Sequence, residues 1–127
     1  MARQNFLLVE DDEVFQFLGI KTLQRMGFSG SQIKTALNGR EAFEIINHPG
    51  SDNLPDVILL DLNMPIMNGF EFLEVFGKLS DEKRNDAKIV ILSSSHNRMD
   101  VERAMRLGAT QFLTKPLTED MLSTVLI

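Results

Sequence analysis

The chain alternates short, continuous apolar runs with longer segments in which apolar residues return every three or four positions. The runs Val57 to Leu60 and Ile89 to Leu92 contain no polar residue. A strand of this kind is covered on both faces, which is typical of a parallel sheet between two layers of helices. The alternation occurs five times, and it predicts an α/β fold of the (βα)5 type, with a doubly wound, parallel, five-stranded sheet.

Turn and capping residues set the predicted bounds of each element. We predict strands at Asn5 to Val9, Ile33 to Ala36, Val57 to Leu60, Ile89 to Leu92 and Phe112 to Leu113. The helices are predicted to follow Glu10 to Glu13 as far as Gly27, to span Arg40 to Asn47, to begin at Asn68 and Gly69, to carry Val101 and Ala104, and to span Thr118 to Ile127. The polar segments His48 to Asn53 and Ser80 to Lys88 are expected to be loops.

Composition narrows the class of protein. The 127 residues suit one domain, with 43% hydrophobic and 24% charged residues and no cysteine, which is compatible with a reducing compartment. The longest apolar run is far below the roughly 18 residues of a membrane span, and strand-like sequence begins almost at Met1. A net charge of −5 gives no electrostatic reason to bind nucleic acid directly. We therefore expect a cytoplasmic protein with no membrane partner.

Polar residues follow the predicted strands at their carboxyl ends, where open α/β sheets carry their sites. Those residues are Glu10, Asp11, Asp61, Ser93 and Lys115. Three neighbouring carboxylates repel one another by roughly 4 kcal/mol per close pair at an effective dielectric near 20, so they need a counter-charge. Mg²⁺ prefers such oxygen ligands. We expect Asp11 and Asp61 as direct ligands, Glu10 through water, and the main-chain carbonyl of Asn63 to complete the site.

Asp61 is also a competent phosphoryl acceptor, since a carboxylate can form an acyl phosphate. In a transfer onto Asp61, the incoming phosphoryl group would spread its charge over three oxygens. Mg²⁺, the Lys115 ammonium and the Ser93 hydroxyl could each contact one of these oxygens. Pro116 follows Lys115 directly and suggests a cis peptide bond, because X-Pro bonds reach the cis form at low cost. Such a bond would fix the direction of the lysine.

Four motifs in this order resemble the response-regulator receiver domain of bacterial two-component signalling. They run from Leu7 to Asp12, Val57 to Gly69, Ile91 to Ser94 and Gly108 to Pro116. The resemblance covers essentially the whole chain. It implies a flavodoxin-like fold and a single receiver domain over residues 1–127, with no output domain in this chain.

The resemblance also implies a switch. A histidine kinase or phosphotransfer protein would phosphorylate Asp61 with Mg²⁺, Ser93 and its neighbour Ser94 would serve phosphate binding and switching, and Phe112 would turn inward. Phe112 lacks the hydroxyl of a tyrosine, so its part in the switch is one of packing alone. The implied protein is not a turnover enzyme, and we expect a monomer or weak homodimer.

Two alternatives remain open at this point. An aspartyl-nucleophile phosphatase of the haloacid-dehalogenase type would also use the strand-end aspartate, but it needs a second aspartate where Asn63 stands. A pseudo-receiver would bind partners without phosphorylation, yet none of the acidic positions or the lysine is lost.

The first predicted helix carries more apolar residues than one buried stripe requires, and we hypothesise that Phe15 and Leu18 dock the phosphodonor helix.

Overall fold

A parallel five-stranded sheet with the order β2-β1-β3-β4-β5 organises the protein. The computed structural model describes residues 4–48, 54–94 and 97–126. The strands are β1 (Phe6–Val9), β2 (Ile33–Ala36), β3 (Val57–Asp61), β4 (Lys88–Ser93) and β5 (Gln111–Thr114). The helices are α1 (Glu13–Arg25), α2 (Gly39–Asn47), α3 (Gly69–Gly77), α4 (Asp81–Arg84), α5 (Arg98–Arg106) and α6 (Glu119–Val125), and a 3-10 turn spans Gly30–Gln32. The predicted α/β architecture is confirmed.

The sheet separates two apolar cores. Alternate strand residues such as Leu7, Ile58 and Ile91 pack with α2, α3 and α5 on one face. Their neighbours Leu8 and Leu59 pack with α1 and α6 on the other. Because both faces are covered, β3 is buried along its whole length, which explains why its sequence does not alternate.

Some element bounds differ from the sequence predictions. The sequence predicts a loop from Ser80 to Lys88, but this segment contains the single-turn helix α4 and the first residue of β4. The Ser80 hydroxyl caps α4 by accepting from the Lys83 N–H at 3.3 Å. The last helix begins at Glu119, after its cap Thr118, and ends at Val125. Ile127 and residues 49–53 of the predicted loop lie outside the described residues.

The connection from β3 to α3 is tight and depends on a glycine. A Cβ atom on Gly69 would lie 2.6 Å from the main-chain oxygen of Asp61 and 2.8 Å from the Cα of Leu62. The Gly69 N–H donates to the Leu62 carbonyl at 3.0 Å. Any side chain here would therefore push α3 away from the end of β3, where Asp61 lies.

Within the described ranges, no helix combines the length and the apolar character that a membrane span needs.

Candidate functional site

Two neighbouring strands carry the acidic residues to one edge of the sheet. Val9 pairs with Leu60, so Glu10 and Asp61, each one residue further along, emerge side by side. Glu10 and Asp61 are buried, whereas Asp11 is exposed. Carboxylate oxygens of all three lie within 4.8 Å of one another. At an effective dielectric near 20, charges at such a separation repel by about 3 kcal/mol, so the cluster requires a cation.

Lys115 supplies that cation in this structure. Its Nζ lies 2.6 Å from Glu10 Oε1 and 3.3 Å from Asp61 Oδ2. The lysine side chain is 8% exposed and the two carboxylates are less exposed still, so water screens these pairs weakly. Lys115 directly follows β5, and its N–H donates to the Ser93 carbonyl at 2.9 Å, which ties the start of the loop to β4.

The charges in this cluster alter each other's protonation. Burial raises the pKa of Glu10 to about 7, although hydrogen bonds from Lys115 and from the Asp12 N–H oppose the change. Burial likewise raises the pKa of Asp61, against the lowering effect of the Lys115 charge. Burial alone would lower the pKa of Lys115, but the hydrogen bond to Glu10 and the charge of Asp61 outweigh it and raise that pKa. The site thus combines two carboxyl groups whose ionised forms are disfavoured by burial with a lysine that stays charged.

Main-chain donors orient the carboxylates. The Asp12 N–H donates to Glu10 Oε2 at 3.1 Å, and the Asn63 N–H donates to Asp61 Oδ1 at 3.3 Å. Asp12 is the residue that caps α1, because its Oδ1 accepts from the N–H groups of Val14 and Phe15. Helix capping therefore falls to Asp12, which leaves Glu10 and Asp11 to the acidic cluster.

The remaining predicted site residues lie around this edge. Ser93 is buried at the end of β4, and Ser94 next to it is exposed. Phe112 is half-buried on β5 and packs against the core that includes α3 and α5. The bond from Lys115 to Pro116 is cis.

The two residues of the docking hypothesis occupy different environments on α1. Leu18 is 41% exposed, and Val14, one turn before it, is 66% exposed. Phe15 is half-buried, and its ring centroid lies 4.8 Å from the Nζ of Lys115. The sequence pattern does not predict this ring contact, because periodicity alone does not give the rotation of α1 about its axis.

Comparison with known proteins agrees with this geometry. Residues 6–127 match the family described as the response regulator receiver domain, and the chain belongs to that family. It is 37% identical over 121 residues to the nitrate/nitrite response regulator protein NarL of Escherichia coli, covering 94% of this chain and 52% of that protein. It is 32% identical over 122 residues to the probable methanogenesis regulatory protein FilR2 of Methanothrix harundinacea, covering 94% and 77% respectively. The chain thus spans about half the length of the first of these relatives.

Solved structures show the same fold. A two-component response regulator from Cytophaga hutchinsonii superposes with a TM-score of 0.87 at 25% identity, covering 99% of this chain and 96% of that one. The chemotaxis protein CheY4 of Vibrio cholerae gives a TM-score of 0.78 at 29% identity, with 98% and 97% coverage. Receiver domains are signalling switches whose general function is to accept a phosphoryl group, and the family binds Mg²⁺ at an acidic pocket.

Proposed function

We propose that Asp61 accepts a phosphoryl group from a histidine kinase or a phosphotransfer protein in a Mg²⁺-dependent reaction, and that this changes the partner-binding surface. The observation that carries the proposal is the pairing of a buried Asp61 carboxylate with Lys115 at 3.3 Å, beside two further carboxylates. In the reaction an Asp61 oxygen forms the new O–P bond while the N–P bond of a phosphohistidine breaks. The imidazole leaves with the electron pair of that bond and takes up a proton.

The acidic cluster fits a hard divalent cation. Its donors are all oxygens, and the exposed Asp11 allows a hydrated ion to approach from solvent. Asp11 and Asp61 would hold the ion directly, with Glu10 acting through water and the Asn63 carbonyl completing the set. When bound, Mg²⁺ supplies positive charge to the phosphoryl oxygens and the carboxylates.

Lys115 and Ser93 are suited to the remaining phosphoryl oxygens. Both lie at the strand edge next to Asp61, and the lysine carries its charge on a flexible stem. A phosphoryl group adds about −1.5 to −2 charges and new acceptors, enough to draw a nearby hydroxyl and loop toward it. We assign the switch to Ser93, with Ser94 beside it, and to the half-buried Phe112, which changes its packing against α5.

The donor protein would reach Asp61 from the side of α1. Leu18 and Val14 form an exposed apolar pair on a helix whose cap, Asp12, is bonded to Glu10. Val14 and Leu18 lie about one and two helical turns after Asp11, which is beside Asp61 in the acidic cluster. An apolar patch there suits the packing of a donor helix that must bring its phosphohistidine to Asp61. Within the docking hypothesis, Leu18 is the residue better exposed for this contact.

Intact-mass measurement tests the acceptor role. The wild-type chain and Asp61→Asn are each incubated with a small acyl-phosphate donor, with Mg²⁺ or with a chelator. We expect one phosphoryl group on the wild type with Mg²⁺, little with chelator, and none on Asp61→Asn. If the wild type gains no phosphoryl group at saturating donor, Asp61 is not an acceptor, and the chain acts as a pseudo-receiver.

A further inference from the structure

The aromatic ring of Phe15 lies against the charged end of Lys115. The Nζ atom is 4.8 Å from the ring centroid, inside the range of about 6 Å over which the face of an aromatic ring attracts a cation. The ammonium also forms ion pairs with Glu10 and Asp61. Together with the Phe15 ring, these carboxylates surround the end of the lysine, whose side chain is only 8% exposed.

A closed circuit of contacts fixes the ring in this place. Glu10 Oε2 accepts from the Asp12 N–H at 3.1 Å, and Asp12 Oδ1 accepts from the Phe15 N–H at 3.2 Å. The Phe15 ring contacts Lys115, whose Nζ returns to Glu10 Oε1 at 2.6 Å. The first turn of α1 and the lysine are therefore held by the same carboxylate.

Further along α1, a second contact holds the helix to the loop that carries Lys115. The buried Thr22 hydroxyl lies 3.3 Å from the Leu117 carbonyl, two residues beyond the lysine. Gly19 lets the helix approach the sheet, because a Cβ there would lie 2.9 Å from Leu8 Cδ2. The position of Phe15 over Lys115 is thus set at both ends of the helix.

We propose that Phe15 is a positioning residue for Lys115 in the phosphoryl transfer to Asp61, an inference that rests on the proposed function. Lysine must exchange a carboxylate oxygen for a phosphoryl oxygen as the new O–P bond forms. A ring face attracts the ammonium without a fixed hydrogen-bond direction, so it confines the flexible stem to the site while leaving this exchange free. An aliphatic side chain of similar size at position 15 would fill the same space but would not attract the ammonium in this way.

The test compares variants of Phe15 with a matched pair on the same helix. Phe17 is 57% exposed and lies under Lys21, with 5.4 Å from Nζ to the ring centroid, away from the acidic cluster. Rates of phosphorylation by a small acyl-phosphate donor are followed by intact mass at fixed Mg²⁺. We expect Phe15→Leu to be about fivefold to tenfold slower, and Phe15→Tyr and Phe17→Leu to stay within about twofold of wild type.

A double-mutant cycle separates positioning from packing. In a Lys115→Met background, Phe15→Leu should change the rate by less than about twofold, because its effect passes through the lysine. Loss of rate that persists undiminished in that background, or a Phe15→Leu variant as fast as wild type, overturns the proposal. Thermal unfolding of each variant shows whether the fold is retained.

An NMR readout is independent of phosphorylation. The ring should shift the Lys115 Cε protons upfield in the wild type and in Phe15→Tyr, and the shift should vanish in Phe15→Leu. Wild-type Cε protons at unperturbed positions would contradict the ring contact itself. A wild type that shows the shift but gains no phosphoryl group would instead refute the proposed function, and with it any role of Phe15 in that reaction.

Discussion

Replacing Lys115 by methionine should destabilise the metal-free protein strongly and make its stability depend on Mg²⁺. At an effective dielectric of 20, Coulomb's law gives about 6 kcal/mol for the contact with Glu10 at 2.6 Å and about 5 kcal/mol for that with Asp61 at 3.3 Å. The cost of burying the three groups offsets most of this attraction. Removing one partner leaves the others buried without compensation, which typically costs about 3–5 kcal/mol.

Proton uptake lowers that cost in the variant. Glu10 already has its pKa raised to about 7 by burial, so without the lysine a proton binds to the carboxylate pair near neutral pH. We therefore expect Lys115→Met to lose about 3 kcal/mol of unfolding free energy in chelator at pH 7.5, toward the low end of the range. The matched control is Lys21→Met, on the exposed face of α1, which should change stability by less than about 0.5 kcal/mol.

Urea unfolding with and without Mg²⁺ is the assay. A cation at 100 times its dissociation constant adds about 2.7 kcal/mol, and the variant should gain more of this than the wild type, because Lys115 no longer repels the ion. The stability gap should therefore narrow when Mg²⁺ is added. A loss below about 1 kcal/mol in chelator, or an equal gain from Mg²⁺ in both proteins, would refute the view that lysine and metal neutralise the same carboxylates.

Three further predictions concern single positions. Leu18→Ser should slow phosphoryl transfer from a phosphohistidine donor protein by about fivefold or more while leaving transfer from a small donor unchanged; equal losses in the two rate assays would reject docking on α1. Ile66→Asn should raise the unfolding free energy by about 1 kcal/mol in thermal denaturation, because a β-branched residue at φ 69° is strained and Ile66 is 74% exposed; an unchanged or lower Tm would contradict this. In chelator, the wild type should become more stable as the pH falls from 7 toward 4.5, because the raised pKa of Glu10 makes the folded state bind a proton at a higher pH than the unfolded state does. Glu10→Gln should reduce this dependence of the unfolding free energy on pH. Identical slopes for the two proteins in urea titrations at several pH values would exclude Glu10 as the cause.

The central strands β3 and β4 were predictable because strands buried on both faces consist of continuous apolar residues. Continuous apolar runs place β3 and β4 within a residue of their observed ends, and the reason is that helices cover both faces of the sheet. The short helix α4 was not predictable in the same way. Its residues are charged and form no apolar stripe, and the side-chain amide of Asn85, which follows it, lies near carbonyls of Leu54 and Pro55. That turn depends on tertiary contacts about 30 residues away in sequence.

The sequence predicted which residues cluster at the site, but not which of their side chains contact one another. The carboxyl ends of parallel strands must share one edge, so Glu10, Asp61 and Lys115 could be grouped from sequence alone. Which face of α1 meets the lysine could not be derived, because that helix has apolar residues around most of its circumference. In the structure, Gly19 faces the Leu8 side chain of the sheet, and in this orientation of the helix Phe15 lies over the ammonium.

If Asp61 accepts a phosphoryl group as proposed, the charge balance of the cluster requires the contacts of Lys115 to rearrange. Lys115 already contacts both Glu10 and Asp61, and the Phe15 ring lies against its ammonium, so a phosphoryl oxygen would compete with these neighbours for the three N–H donors of the lysine. A phosphoryl group on Asp61 would bring about −1.5 to −2 further charges into a buried site. Under the proposed function, the lysine would then move part of its contact from Glu10 to the phosphoryl group, and the proposed divalent cation would help to neutralise that carboxylate. Glu10 also accepts from the Asp12 N–H, and Asp12 caps α1. The exchange of partners by one lysine therefore links the charge on Asp61 to the first turn of the helix on which a donor would dock.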